Sequence, residues 1–421
     1  MPNAHQLLEK MLSREMLAAL RAAGQMAIEP CAPATEVYLV GGAVRDVYMG
    51  VRPLNLDLSV VGDGEAFARH ITNRLGGKLE ATSEFGTARV TMGFGEADVV
   101  TARFETYPAP GALPRVTPAG IREDLARRDF TVNAMAVALW PAQWGDVLDP
   151  QRGSADIIRR QLRVLHDRSF QDDATRILRG LRYEARLGLK FDPRALGLIA
   201  RDLEFIGLIS PARIRAELQK LLAEPARALA LRRAAELGVL DAIHPGLKCD
   251  RRVSEAIEKR QVEGDRDRLL HDLALLTASL TEGDAISLIA RLDPPTEWRD
   301  VITAGPKILA LAPMLESGSL SPSEAVGLLA PLPLPVIYAQ RDIAPPGRLL
   351  ERLDDYLTKW RHIQPACDGN DLINAGVPQG PAVGLLLGVV RVARLDGRVR
   401  SKDEELALVR QTLPAFLRHL P

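Results

Sequence analysis

Cysteine is scarce and scattered. The 421-residue chain has three, Cys31, Cys249 and Cys367, each more than a hundred residues from the next. That spacing excludes a local zinc knuckle and argues against a disulfide framework. Aromatic residues make up only 5% of the chain. No uninterrupted apolar run approaches the roughly 18 residues needed to cross a bilayer. The opening MPNAHQLLEK lacks the apolar centre of a signal peptide, so the expected location is a reducing cytoplasm. Net charge is missing too: Lys+Arg and Asp+Glu are both 54. Global charge therefore does not announce a nucleic-acid partner. Locally the balance shifts, because residues 151–220 carry 15 Lys/Arg against 9 Asp/Glu, nearly all the bases being arginine.

What is present is ordinary for a globular protein, with 47% apolar and 26% charged residues. The length exceeds one ordinary core and predicts roughly two to four domains. Residues 5–29 read as one amphipathic helix stopped by Pro30 and Pro33. VYLVGG (37–42), LDLSVV (56–61), TARVTMGF (87–94) and ADVVTARF (97–104) read as strands, the last two as a hairpin over Gly95-Glu96. EAFARHITNRLGG (65–77) reads as a helix closed by glycines. After about residue 155 the strand signals give way to helical periodicity punctuated by Pro and Gly. The pattern predicts a mixed α+β head followed by an all-helical remainder.

Several clusters carry chemistry. Gly41-Gly42 follows an apolar strand, where a tight turn exposes backbone N–H groups to phosphate, and Arg45 could add a charged contact. Alternation places Asn55, Asp57 and Ser59 on one strand face. Oxygen ligands two residues apart on a strand suit Mg²⁺, and two such ions clamp both oxygens of a phosphoryl transfer. A polar, solvent-facing edge strand explains the same spacing. Asp98 opens the next strand and is a candidate third carboxylate. In RRDFTVN, Arg128 could meet phosphate, while Asp129 and Asn133 could bind ribose. Downstream, Asp173, Arg176, Arg179, Arg182 and Arg186 read as one face of a helix. An Asp that accepts from an exocyclic amine beside an Arg donor would read cytosine or adenine, whereas a solvated basic face explains the pattern without a ligand. His271-Asp272 lies on an apolar helix with no second histidine cluster and reads as structural.

In order along the chain, LVGGAVRD (39–46), NLDLSVVGD (55–63), ETYPAPGALPRV (105–116), DLARRDFTVNAMA (124–136), GDVLDPQRGSADIIRRQLRVL (145–165), DDATRILRGLRYEARLG (172–188) and SPARIRAEL (210–218) are found. GNDLINAGVPQGPAVG (369–384) follows more loosely. This series resembles the class II CCA-adding enzyme/poly(A) polymerase family, within the polymerase β-like nucleotidyltransferases. The resemblance implies an N-terminal helix (1–34), a nucleotidyltransferase head (35–155), and a helical neck (156–235), body (236–360) and tail (361–421). It implies template-independent addition of C and/or A from CTP and ATP to the tRNA 3′ end, with Mg²⁺ as cofactor and the tRNA acceptor end as partner. Neither a membrane surface nor a protein partner is implied. Nucleotide contacts are expected at Gly41, Gly42, Arg45, Arg128, Asp129, Asn133, Asp173, Arg176, Arg179 and Arg182. Metal ligands are expected at positions 55 and 57, with Asp98 as a third catalytic carboxylate.

The chain departs from the family at Asn55, which stands in place of the first metal-binding Asp. Loss of one preorganised charge costs on the order of 10²–10³ in rate, so a catalytically impaired tRNA- and nucleotide-binding homologue is one alternative; an enzyme that adds only the terminal A is another. Asp172 replaces the usual Glu and Ala174 a common Pro. The loop Glu105–Arg122 is undeleted, which disfavours a relative that adds only the two cytidines.

Overall fold

The computed structural model describes residues 4–30, 32–82, 86–259 and 264–417. The chain divides into two compact units, Met1–Ile243 and His244–Pro421.

The first unit opens with α1 (Ala4–Met11) and α2 (Arg14–Ala27). The single helix expected over 5–29 is two, because Ser13 leaves the helical conformation and its Oγ accepts the Met16 N–H at 3.1 Å. Then come β1 (Ala34–Val40), α3 (Gly41–Tyr48), β2 (Leu56–Gly62), α4 (Gly64–Leu75), β3 (Gly77–Thr82), β4 (Thr87–Met92), β5 (Gly95–Thr101), β6 (Arg103–Thr106), β7 (Arg115–Pro118) and α5 (Ile121–Ala126). The short β8 (Ala136–Ala138) and β9 (Val147–Leu148) complete a seven-stranded sheet ordered β3-β4-β5-β2-β1-β8-β9. Every pairing in it is antiparallel except β2 with β5. The β4–β5 hairpin turns over Gly93-Phe94, one pair earlier than expected, because Met92 pairs Gly95 and Thr91 pairs Glu96. Gly24 of α2 lies so close to the strand end that a Cβ there would meet the Leu139 carbonyl oxygen at 1.9 Å. No side chain fits between them.

Beyond the sheet run α6 (Gly153–Arg159), α7 (Ser169–Asp172), α8 (Thr175–Leu187), α9 (Pro193–Asp202), α10 (Pro211–Ala223), α11 (Arg227–Glu236) and α12 (Val239–Ile243). Strand pairing does not end at 155: β10 (Gln161–Leu162) and β11 (Lys190–Phe191) pair over two residues each. The helix expected from Asp173 begins at Thr175. Asp173 is extended (φ −148°, ψ 98°), and its Oδ1 accepts the Thr175 N–H at 3.0 Å. Phe130, Phe170, Leu162 and Leu181 are fully buried.

The second unit is helical. It comprises α13 (Arg251–Lys259), α14 (Asp265–Leu276), α15 (Glu282–Leu292), α16 (Thr296–Glu316), α17 (Pro322–Leu329), α18 (Leu334–Ile343) and α19 (Arg348–Thr358). It closes with α20 (Gly369–Asn374), α21 (Pro381–Leu395) and α22 (Lys402–Leu417), which share a core of Cys367, Leu372, Leu386, Val390 and Val409. His271 is buried on α14, between Asp272 (3.2 Å) and Asp342 of α18 (3.0 Å). It ties two helices together. Cys249 and Cys367 are buried free thiols; Cys31 lies outside the described residues. Among the described residues no helix is long and apolar enough to cross a membrane.

Candidate active site

A cavity of about 680 Å³ opens in the first unit, lined by residues from β1, α3, β2, β4, β5, β6 with Tyr107 after it, the 127–133 segment, Asp173, α8 and α10. Its lining holds nine Arg or Lys against six Asp or Glu, a balance that suits a polyanion.

The Gly-Gly turn lies where β1 hands over to α3. Gly41 has φ +66°, and a Cβ on it would sit 2.7 Å from Arg128 Nη1. Only glycine satisfies both demands. The Gly42 N–H is bonded to Asp57. Asp57 is the register partner of Asp98 across the parallel β2–β5 pair, which sets two carboxylates side by side. Burial pushes the Asp57 carboxyl up and the Asp98 charge adds to that; Arg128, Arg45 and the Gly42 N–H pull the other way. Asp98 is held from β4 by Arg89, at 3.0 and 3.3 Å.

Asn55 falls elsewhere. It occupies an exposed bend before β2, because pairing with β5 begins at Leu56, and it is not among the cavity's lining residues. Ser59, expected on the same face, is buried, and its hydroxyl lacks a hydrogen-bond partner among the described residues. The described residues contain no cluster of three or more His, Cys, Asp or Glu suited to a metal. Asp57 and Asp98 remain as the two acids that could hold a cation, and the repulsion between them fits one.

Arg45 reaches the cavity wall but is only 4% exposed. Its Nη1 donates to Asn133 Oδ1 at 2.7 Å, and its Nε and Nη2 donate to Asp46. Asn133 in turn donates to Asp129 Oδ1 at 2.9 Å. Asp129 also accepts the Phe130 N–H at 2.8 Å, and its Oδ2 accepts Arg179 Nε at 2.8 Å and forms an ion pair with Nη2 at 2.8 Å. Burial opposes ionisation there, but Arg179 and Asn133 outweigh it and hold the carboxyl down at about 2. Protein donors thus take up much of the capacity expected to serve ribose, and Asp129 works as the hub that aims Arg179 and Asn133. Arg128 donates to Asp124 Oδ2 at 2.8 Å, while its buried Nε has no hydrogen-bond partner among the described residues.

Asp173 and Arg176 stand together at the start of α8. Arg176 is buried and donates to Ser169 Oγ (2.9 Å), the Arg127 carbonyl (2.8 Å) and the Tyr107 hydroxyl (3.4 Å). Arg182, expected among the nucleotide contacts, is not among the cavity's lining residues. It pairs with Glu224 (2.9 Å) and with Glu217 (3.4 Å), which does line the cavity. One residue further round, Tyr183 faces the cavity with the guanidinium carbons of Arg45, Arg179 and Arg186 at 5.2, 5.8 and 5.7 Å from its ring centre. Sequence reasoning passed over Tyr183, Tyr107 and Arg213. Their position inside the family-like motifs was the signal that could have found them.

Residues 37–163 match the poly A polymerase head domain, and residues 188–250 match the probable RNA- and SrmB-binding site of polymerase A. Three curated relatives cover nearly the whole chain. An A-adding tRNA nucleotidyltransferase of Geobacter sulfurreducens is 31% identical over 96% of this chain, which spans 48% of that relative's length. One of Halalkalibacterium halodurans is 30% identical over 97% of this chain and 95% of its own length. A CC-adding tRNA nucleotidyltransferase of Deinococcus radiodurans is 34% identical over 91% of each. Among solved structures, a Thermotoga maritima CCA-adding enzyme complexed with tRNA superposes with a TM-score of 0.79 at 27% identity, covering 98% of both chains. With its head, its RNA-binding segment and its full-length relatives in agreement, the chain belongs to the poly A polymerase/tRNA nucleotidyltransferase family of enzymes.

Proposed function

We propose that this chain adds C and/or A from CTP and ATP to the 3′ end of tRNA without a nucleic-acid template, releasing pyrophosphate. The observation that carries this reading is one cavity holding both chemistries. The Gly-Gly turn and the Asp57/Asp98 pair line it together with Asp173 and Arg176. The tRNA 3′-hydroxyl oxygen bonds to the α-phosphorus of the nucleotide as the bond to the departing pyrophosphate breaks. Arg128 and Arg179 face the triphosphate. The Oδ2 of Asp173 accepts the exocyclic amine of cytosine or adenine, which guanine and uracil lack at that edge. Arg176 donates to the ring nitrogen or carbonyl, exchanging its longest contact, the one to Tyr107, for the base.

Mg²⁺, a hard cation that keeps substrate phosphates in its shell, would be held by Asp57 and Asp98 and would offset the charge that builds during transfer. Asn55, exposed and neutral, contributes at most an amide oxygen from outside the lining. The pair across β2 and β5 thus takes over from the pair along β2. On this reading the head, neck, body and tail divide as 35–155, 156–235, 236–360 and 361–421, and the reaction belongs to the cytoplasm.

The test supplies purified protein with Mg²⁺ or Mn²⁺, labelled CTP or ATP, and tRNA either lacking CCA or ending in CC. Extension of either substrate is expected, and product length separates full CCA addition from A addition alone. If the native protein extends neither tRNA while Asn55→Asp extends strongly, the catalytic reading is wrong.

A further inference from the structure

The base-reading carboxylate does not stand alone. Arg213, on the first turn of α10, donates from Nη2 to Asp173 Oδ1 at 2.7 Å and from Nη1 to the Gly111 carbonyl at 3.2 Å. Gly111 lies between β6 and β7 and has φ +76°; a Cβ on it would meet Leu208 Cβ and the Leu208 carbonyl oxygen at 3.0 Å. The loop tip therefore rests against the segment leading into α10, and Arg213 bridges tip and carboxylate.

Asp173 Oδ1 has three donors, the Thr175 N–H (3.0 Å), the Thr175 hydroxyl (2.7 Å) and Arg213. Among the described residues, Oδ2 has no hydrogen-bond donor. That asymmetry fixes the carboxylate plane and leaves one particular oxygen for a base. The residue itself is outside the helix, with extended torsions, so its side-chain orientation depends on these donors.

We infer that Arg213 is a specificity-determining positioning residue: by occupying Oδ1 and anchoring to Gly111, it sets the direction in which Asp173 Oδ2 meets the incoming base. Arg213 acts through Asp173, and the inference rests on the reading of Asp173 as the base acceptor. An Arg is suited to the task because its planar fork holds two acceptors in fixed relation, which a Lys point charge cannot do. Misplacing a recognition group by about 1 Å costs on the order of 10²-fold.

The experiment measures kcat/KM for CTP and for UTP on tRNA lacking CCA, using the full chain and the variants Asp173→Ala, Arg213→Met, Arg213→Lys and Gly111→Ala. Arg213→Met is expected to lower the CTP/UTP ratio by about 10- to 100-fold. Inhibition by pyrophosphate, which reports only the triphosphate site, should shift less than about 3-fold, well below one factor of ten. Arg213→Lys recovers part of the ratio, a graded rescue that a merely structural loss would not show. Gly111→Ala, which pushes the loop off Leu208 and shifts the carbonyl Arg213 holds without substituting Arg213 itself, gives a smaller loss in the same direction and serves if Arg213→Met does not fold. If Asp173→Ala abolishes the preference while the Arg213 and Gly111 variants keep the wild-type ratio, the inference about Arg213 is overturned. If Asp173→Ala itself retains the preference, the underlying reading of Asp173 fails instead, and the inference goes with it.

Discussion

Replacing Asp129 by Asn keeps the side chain's shape and removes its charge. The carboxylate accepts from the Phe130 N–H, Asn133 Nδ2 and Arg179 Nε, all between 2.8 and 2.9 Å, and pairs ionically with Arg179 Nη2. The fall from the ordinary value of 3.8 to about 2 corresponds to roughly 2 kcal/mol of preference for the charged, folded form. The variant loses that preference and points an amide NH₂ at a donor, an unsatisfied contact costing about 1–3 kcal/mol more. A loss of roughly 3–5 kcal/mol is expected, in the range for breaking a buried ion pair. Hydrogen exchange of the amides in α8 and residues 131–138 measures it directly, since those protons exchange only when this unit opens. The pH dependence follows in sign. A carboxyl whose folded value is depressed contributes stability fully above its unfolded value of about 3.8 and loses it as pH falls toward about 2. The wild-type advantage should therefore be flat from pH 8 to 5 and shrink below pH 4. A gap under about 1 kcal/mol at pH 7, or one unchanged at pH 3, would refute the account of Asp129 as the charged hub.

Gly41→Ala, which combines φ +66° with a Cβ 2.7 Å from Arg128 Nη1, should lower kcat/KM by about 10- to 100-fold. Gly50→Ala, at φ +72° with no atom within 4 Å, should cost only about 1 kcal/mol of stability and leave turnover intact; equal activity losses in the two would discount the Arg128 contact. Arg182→Met removes one of two cations from each of the buried Glu217 and Glu224, which keep Lys220 and Arg186, and should destabilise by about 1–3 kcal/mol with KM for CTP and ATP little changed; a large KM rise in a stable variant would place Arg182 in the nucleotide site. Chelation of divalent cations should stop extension and added Mg²⁺ restore it. Asp98→Asn should slow transfer by about 10²- to 10³-fold and raise the Mg²⁺ needed, and normal activity in that variant would remove Asp98 from the site.

The strands that carry the site were readable because each pairs on two sides and reads as an apolar or alternating run. β3 was not, because its residues, GKLEAT, are exposed at the sheet edge and carry no alternation. β6 and β7 pair only with each other across a Pro- and Gly-rich loop, a pairing that composition does not announce. Within the site, residue identity foretold membership better than role. Gly41, Asp57, Asp98, Asp129, Asp173, Arg176 and Arg179 all line the cavity, yet Asp129 is consumed by neighbours whose proximity depends on a helix about fifty residues away. Arg182 shares the helix face but not the lining, because one face of a helix spans more arc than a cavity wall does. Two buried glutamates from α10 and its following turn claimed it. Asn55 lies outside the lining because the ladder begins at Leu56, one residue after the alternation read from the sequence.

The parallel pairing of β2 with β5 has a consequence for how this chain can change. Asp57 and Asp98 are neighbours only at one register, and a slip of a single residue would send one of them to the opposite face of the sheet. That register is fixed from both flanks, by β1 against β2 and by β4 against β5, with Arg89 locked across to Asp98. The intervening α4, β3 and β4 lie between the two strands in sequence, and β3 forms the free margin of the sheet. Insertions in β3 lengthen the margin without disturbing the carboxylate pair. The centre is hard to lose by drift and equally hard to retune, whereas its border is free to diverge.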